Sequence, residues 1–360
     1  MPGVQVAIVG AGLSGLYAAT LLEARGMHDY VLLEARDRCG GRILSEPSAA
    51  ADRFDLGATW FWPMMQPALA RLVDRLGLTT VAQHEDGDML LEPAGQHAPR
   101  RVAGYRSDPA AVRLAGGMDT LTEALRGRLA AQRLVTGCRV RRLIHSGGHI
   151  EVQTEGPDGP AAAWRAAQVL LAVPPRLAAG TIACAPALPD ALARAWQGCA
   201  TWMAPHAKYV AVFDAPFWRE QDLSGEARSA MGPMAEIHDA SAPGGLAALF
   251  GFLGIPAALR GRIPEETLRS HCRAQLVRLF GHAAGTPRAE YLKDWAADPC
   301  TATAQDQTAD EHHAARPPTT ADAGAWSGRL IAIASECSPT HPGYAAGALD
   351  AALRGVEALA

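Results

Sequence analysis

The chain has 360 residues, of which 49% are hydrophobic and 19% charged, and its 33 basic and 37 acidic side chains leave a net charge of −4. That length exceeds the usual single packed core and predicts two domains or one with an inserted lobe, while the balance excludes disorder and leaves no electrostatic footprint for nucleic acid. The longest apolar run, Gly244 to Leu259, is broken by Pro256 and by glycines, whereas a membrane-spanning helix needs about 20 apolar residues, so no membrane partner is expected.

Met1-Pro2-Gly3 leads straight into a strand-like run with no basic or apolar leader pattern, so secretion is not expected. The cysteines at 39, 138, 184, 199, 272, 300 and 337 are scattered and form no CxxC pair. They suggest neither a disulfide framework nor a zinc site, and a reducing cytoplasm is the expected compartment. Lys208 and Lys293 are the only lysines among the basic residues. Where arginine is so strongly preferred, a surviving lysine marks a place that needs a compact amine able to lose its proton.

Val4 to Val9 reads as a strand, Gly10-Ala11-Gly12-Leu13-Ser14-Gly15 as a turn, and Leu16 to Arg25 as a helix closed by Gly26. Tyr30 to Glu34 is a second buried strand ending in an acid 19 residues after Gly15, which completes a βαβ unit and starts a parallel sheet. Leu69 to Leu76 has helical periodicity, and His84 to Arg101 is polar with no strong pattern. Gly116-Gly117-Met118 precedes a helix over Asp119 to Leu129, with Asp119 as its N-cap. Strands follow at Arg139 to Ile144, His149 to Thr154 and Gln168 to Val173, forming a β-rich annex. Beyond Met203 the pattern changes to strands at Ala207 to Phe213 and Leu246 to Leu253 and a long amphipathic helix over Pro264 to Phe280. Asp310 to Thr320 reads as a surface loop, Arg329 to Ala334 as a last strand, and the chain closes on a turn and a helix.

Gly10-x-Gly12-x-x-Gly15 supplies glycines for a tight turn, for approach of a pyrophosphate and for helix packing, and Glu34 is placed to accept from ribose hydroxyls. The stretch Glu34-Ala35-Arg36-Asp37-Arg38-Cys39-Gly40-Gly41-Arg42 then resembles the segment after the acid in the flavin-containing amine oxidase family. In that family the paired glycines and last arginine approach the FAD phosphates; the plainer alternative is an Arg-rich surface loop. Asp55-Leu56-Gly57-Ala58-Thr59-Trp60 is similar to the family's turn beneath the flavin, and Gly116-Gly117-Met118 to its entry into the second nucleotide-domain segment. Val140 stands where the family places a valine whose backbone holds adenine, and Ala172-Val173-Pro174-Pro175 matches its strand end. The blocks from Gly328 to Glu336, including Ser335 and Glu336, and from His341 to Ala348, including Gly343, Tyr344 and Ala345, resemble the monoamine oxidase ending.

In the second lobe His206-Ala207-Lys208-Tyr209-Val210, followed by Ala215-Pro216-Phe217-Trp218-Arg219, is similar to the family strand whose lysine holds a water at flavin N5. The alternative for Lys208 is an edge-strand lysine facing solvent. Trp295 looks like the family's tryptophan before the active-site loop and Tyr344 like one wall of its aromatic cage, although both could be core aromatics. Departures are visible as well. The second cage tyrosine falls on Gln305 and the cysteine that carries covalent flavin in some members falls on Ala304, the alternative being a shifted loop that brings Cys300 to the flavin. Ala334 replaces a usual glycine, and Trp60 and Gly116 stand closer in sequence than in relatives that carry a larger helical insert.

The resemblance thus implies an α/β fold, with a Rossmann-like FAD-binding domain and β-rich annex over residues 1–78, 113–198 and 297–360. A reduced α+β substrate domain would occupy 79–112 and 199–296. The implied cofactor is non-covalent FAD, with phosphates on Gly12 to Gly15 and Arg42, ribose on Glu34, and the flavin end near Gly57 to Trp60 and Gly343 to Ala345. The implied reaction takes a hydride equivalent from the carbon bearing a neutral amine to flavin N5, with O₂ as acceptor yielding H₂O₂ and water hydrolysing the imine. Two alternatives stay open: a desaturase or porphyrinogen-oxidase-like enzyme acting on carbon–carbon bonds, and a non-catalytic FAD-binding protein. The membrane-anchoring tail of mitochondrial members is not expected. His312-His313, His28, His84 and His97 lack the spacing of a metal site, and His341 is close enough in sequence to Gly343 to face the cavity. No GxSxG elbow supports hydrolase chemistry, and oligomeric state is left open.

Overall fold

The computed structural model describes residues 1–47, 52–95, 98–156, 159–307 and 316–359, so His97, His312, His313 and most of the loop expected at 310–320 lie outside it. The chain divides into two compact units, Met1–Ile43, Leu121–Ala204 and Asp298–Ala360 in the first, and Leu44–Thr120 and Pro205–Ala297 in the second.

In the first unit the strand Gly3–Val9 pairs in parallel with Tyr30–Leu33 on one side and with the long strand Gly159–Leu171 on the other. Leu330–Ala332 adds a further parallel strand beside Val169 to Leu171. The strands Arg139–Ser146 and His149–Gly156 form an antiparallel hairpin that continues into the first half of Gly159–Leu171, giving the β-rich annex. The inward residues Val9, Leu33, Val169, Leu171 and Leu330 build one apolar core with Trp196 and Trp326. Full burial of such side chains stabilises by roughly 1.5–3 kcal/mol each. The helices Leu13–Ala24 and Ala345–Glu357 lie against each other. The first has Leu16, Ala19 and Leu22 buried and is closed by Gly26 at φ 73°.

In the second unit a seven-stranded sheet runs in the order Ala289–Asp294, Ala207–Phe213, Ala247–Leu253, Met234–Asp239, Leu223–Ser229, Asp88–Glu92, Arg100–Val102. Alternation along Ala207–Phe213 decides its two faces. Tyr209, Ala211 and Phe213 pack under the helix Glu265–Phe280, which presents Leu268, Cys272, Leu276 and Leu279 at helical spacing. Val210 and Val212 turn to the other face and pack with Phe54, Leu56, Ala248 and Phe250.

Several elements differ from the reading of the sequence. The stretch 84–101 contains the strand Asp88–Glu92, and Leu223–Ser229 and Met234–Asp239 are also strands. These segments bury polar groups, so apolar alternation does not mark them: Glu92 is 4% exposed and takes hydrogen bonds from Ser229 and Arg278. Asp119 is the first residue of its helix rather than the N-cap, and its carboxylate accepts from Arg53 at 2.7 Å. Residues 44–78, 113–120 and 297, expected with the nucleotide-binding segments, belong to the second unit, where Phe54 and Leu56 complete the core on one face of its sheet, and residues 199–204, expected in the substrate domain, belong to the first.

Candidate functional site

In the first unit the turn after Gly3–Val9 brings Gly10 and Gly15 together, so that a Cβ on Gly15 would lie 1.9 Å from the Gly10 carbonyl oxygen. Gly12 is the N-cap of the helix Leu13–Ala24 and offers no side-chain cap. The first-turn N–H groups of Leu13, Ser14 and Gly15 therefore lack the partner a capping side chain would give and point where an anion gains from the helix dipole. The Ser14 hydroxyl is not available to such a ligand, since it donates to the Ile333 carbonyl. Gly12 bridges Gly40, and a Cβ on Gly41 would sit 3.2 Å from the Gly12 Cα.

Glu34 ends its strand almost fully buried, accepting from the Ala11 N–H at 2.7 Å and the Arg36 N–H at 2.9 Å. A carboxylate has lone pairs beyond these two, so it can still receive ribose hydroxyls. Ala35 stands half-buried beside it. Arg36 turns to Asp298 at 2.6 Å and Thr301 at 3.0 Å. Val140 is buried where the Arg139–Ser146 strand bulges, and the neighbouring Arg139 donates to Cys300 Sγ at 2.6 Å.

Arg42 does something other than wait for a phosphate. Its Nη1 donates to Glu336 Oε1 at 2.6 Å and the Trp202 carbonyl at 3.0 Å, and its Nη2 to Ser335 Oγ and Glu336 Oε2, both at 3.1 Å. Both terminal nitrogens are thus spent within the protein. Burial alone would push the Glu336 carboxyl up, but the Arg42 guanidinium and the N–H groups of Glu336 and Trp202 hold it below the usual carboxylate range. Gly343 donates to the Ser335 carbonyl at 3.1 Å, Tyr344 caps the helix Ala345–Glu357 without a side-chain hydrogen bond, and Ala345 is its first residue. The Gly12 turn, the 333–336 segment and the Gly343 turn are therefore tied into one cradle with two helix N-termini, which fits a dinucleotide.

In the second unit Lys208 is 1% exposed on an interior strand, paired with Phe252 on one side and Lys293 on the other. An edge lysine facing solvent is thereby excluded. Its Nζ donates to Thr59 Oγ1 and to the Gly57 carbonyl at 3.4 Å, and lies over the rings of Phe250 and Phe252 with 3.9 and 5.6 Å to their centroids. Trp60 stands against Phe250 and His238, and its indole N–H donates to Gln83. Burial pushes the Lys208 amine well below its ordinary value; Asp55 opposes that shift and Arg113 adds to it. Asp55 is raised by its own burial, against the pull of Lys208, Ser45, Met118 and Arg113. The turn from Asp55 to Trp60 thus carries both the hydrogen-bond partners and the counter-charge of the lysine.

Trp295 is buried in the same unit, with its indole N–H on the Leu56 carbonyl at 2.9 Å and Lys293 Nζ 4.7 Å from its ring. Sequence reasoning missed Phe250, Phe252, His238 and Trp202, and it placed Asp55 in the turn without its role as counter-charge to Lys208. For the two phenylalanines the signal was present, because residues two apart on a strand share a face.

The family model for flavin containing amine oxidoreductase matches residues 96–360, and that for an NAD(P)-binding Rossmann-like domain matches residues 8–76. The chain belongs to the flavin-containing amine oxidoreductase family. It is 29% identical over 188 residues to the probable flavin-containing monoamine oxidase A of Dictyostelium discoideum, a match that covers 51% of this chain and 39% of that protein. It is 42% identical over 92 residues to putrescine oxidase of Kocuria rosea, covering 25% of this chain and 19% of that protein. The chain therefore spans well under two thirds of these relatives in alignment. Among solved structures it resembles wild-type putrescine oxidase bound to putrescine (TM-score 0.80, 22% identity, 99% and 98% of the two chains). Cyclohexylamine oxidase from Brevibacterium oxydans gives a TM-score of 0.82 at 19% identity over the same shares. The fold of these oxidases is thus matched along nearly the whole chain, with its Rossmann-like segment over residues 8–76. No helix among the described residues is long and apolar enough to cross a membrane.

Proposed function

We propose that the protein is an FAD-dependent amine oxidase acting on a small-molecule amine, with O₂ as electron acceptor. The observation that carries this reading is the buried Lys208 amine, held on Thr59 and roofed by Phe250 in an amine oxidoreductase fold. The cradle of the first unit fits FAD: the N–H groups of Leu13, Ser14 and Gly15 would take the diphosphate, Glu34 the ribose, and the Val140 backbone the adenine. Bound FAD supplies the oxidising power by accepting a hydride equivalent from the carbon that bears the amine.

The residues of this chain bind, orient and keep the reaction dry. Lys208 would hold a water with its amine near the reacting atoms, while Thr59 and the Gly57 carbonyl fix that amine in place. Phe250, Phe252 and Trp60 exclude bulk water around it. Tyr344 offers an aromatic face to the substrate, Trp295 braces the 55–60 turn, and Arg42 acts by holding Ser335 and Glu336. With Ala304 at the family's covalent position and Cys300 engaged by Arg139, the flavin is non-covalent. The seven unpaired thiols support a cytoplasmic location.

The test is to mix the yellow protein anaerobically with primary amines, amino acids and polyamines and to follow flavin absorbance. Bleaching by one class is expected. Dithionite-reducible flavin that no amine bleaches would overturn the reading.

A further inference from the structure

Trp202 precedes Lys208 in the linker at the end of the first unit, and its main chain is fixed on both sides. Its N–H donates to Glu336 Oε1 at 3.1 Å and its carbonyl accepts from Arg42 Nη1 at 3.0 Å. Met203 follows at φ 61°, a left-handed conformation uncommon for a residue other than glycine and one that ordered surroundings must impose. Gly343, at φ 84°, comes so close that a Cβ there would stand 2.5 Å from Trp202 Cβ. The indole lies on Tyr344, with ring centroids 5.4 Å apart and planes inclined by 34°.

Both rings are nevertheless only partly buried. A backbone pinned by a partly buried ion pair, carrying a ring that is itself only partly buried, suits contact with a ligand better than filling of a core. No aromatic side chain stands at Gln305 to do this work.

We propose that Trp202 is a specificity-determining residue, forming with Tyr344 a continuous aromatic wall against which the apolar body of the amine packs. The inference rests on the amine oxidase reading above. The paired rings offer a broad flat face, so amines with an aryl or cycloalkyl body gain dispersion contact along it that a short linear chain does not. Arg42 and Glu336 are positioning residues for this wall, because they hold the Trp202 main chain rather than the ligand.

Cumylamine separates binding from turnover, since the carbon bearing its nitrogen has no hydrogen to lose. The FAD-loaded protein is titrated with cumylamine while the flavin spectrum is followed, for the wild type and for Trp202→Phe, Trp202→Leu and Trp202→Ala. The expected result is a rise in Kd of about tenfold for the Leu and Ala variants, less than about threefold for Phe, and an unchanged affinity for FAD. Should Trp202→Ala fail to fold, Trp202→Leu keeps the apolar bulk and decides alone. A Leu variant that binds cumylamine as tightly as the wild type overturns the inference and leaves amine oxidation intact. A wild type whose flavin responds to neither cumylamine nor any oxidisable amine overturns the functional reading, and the inference with it.

Discussion

Lys208 Nζ lies 3.9 Å from the centroid of the Phe250 ring and donates to Thr59, so the amine is enclosed by an aromatic face and a hydroxyl rather than by water. With only two lysines in the chain, a protein labelled with ε-¹³C lysine should give two ε-carbon signals, and Lys208→Met identifies one of them. We expect that signal to titrate well below the ordinary lysine value, because burial disfavours the charged form. Asp55→Asn should move its midpoint down by about one unit and Arg113→Gln should move it up, since these remove a charge that stabilises the ammonium and one that opposes it. A midpoint unmoved by either substitution would show that the two groups do not set the charge of the amine.

Lys208 and Asp55 fix two windows in the stability profile. The folded pKa of Lys208 is depressed, so between it and the unfolded value the unfolded chain binds more protons and stability rises with pH. The folded pKa of Asp55 is raised, so from about pH 4 up to that value the native state binds more protons and this contribution falls with pH. Urea midpoints should show Asp55→Asn gaining on the wild type between about pH 4 and neutrality. They should also show Lys208→Met abolishing the rise on the alkaline side.

Breaking the Arg42–Glu336 pair leaves a guanidinium short of its partner among buried groups. Glu336→Gln should cost about 3 kcal/mol at neutral pH, read from urea unfolding. Because the folded pKa of Glu336 is depressed, its contribution is present above the unfolded value and lost as pH falls through the folded one. The gap between wild type and variant should therefore narrow on acidification below about pH 4; a constant gap would point to packing alone.

Gly15→Ala would place a methyl group 1.9 Å from the Gly10 carbonyl oxygen. The turn must then open, at a cost of about 1–3 kcal/mol. The variant should purify with far less flavin than the wild type, measured as the ratio of flavin to protein absorbance. Retention of full flavin would remove the diphosphate from this turn.

Turnover should rise with pH through the pKa of the substrate amine, because no general base stands out among the described residues and the amine must arrive neutral. Steady-state profiles for two amines of different pKa should be displaced by that difference. A common profile would place the titration on the protein instead.

The first βαβ unit and the Lys208 strand were legible because their signals are local: a glycine turn between apolar runs, an acid at the end of the second strand, and one of two lysines in an apolar context. The strands Leu223–Ser229 and Met234–Asp239 were not, because Ser224, Glu226 and Asp239 are buried with polar partners. A polar residue turned inward reads as a loop. The work done by Arg42 and Trp202 was hidden for another reason: it depends on contacts between segments up to 294 positions apart. Ile43 and Leu44 mark where one unit gives way to the next, and no local composition change announces that boundary.

Trp202 and Lys208 belong to one stretch of seven residues, Trp202 to Lys208, anchored at its start by Arg42 and Glu336 and at its end by a strand in mid-sheet. The group proposed to choose the amine and the group proposed to serve the reacting atoms are thus inherited together on one short cassette. Exchange of that cassette between relatives is a compact route to a changed substrate range, with the nucleotide cradle left as it is.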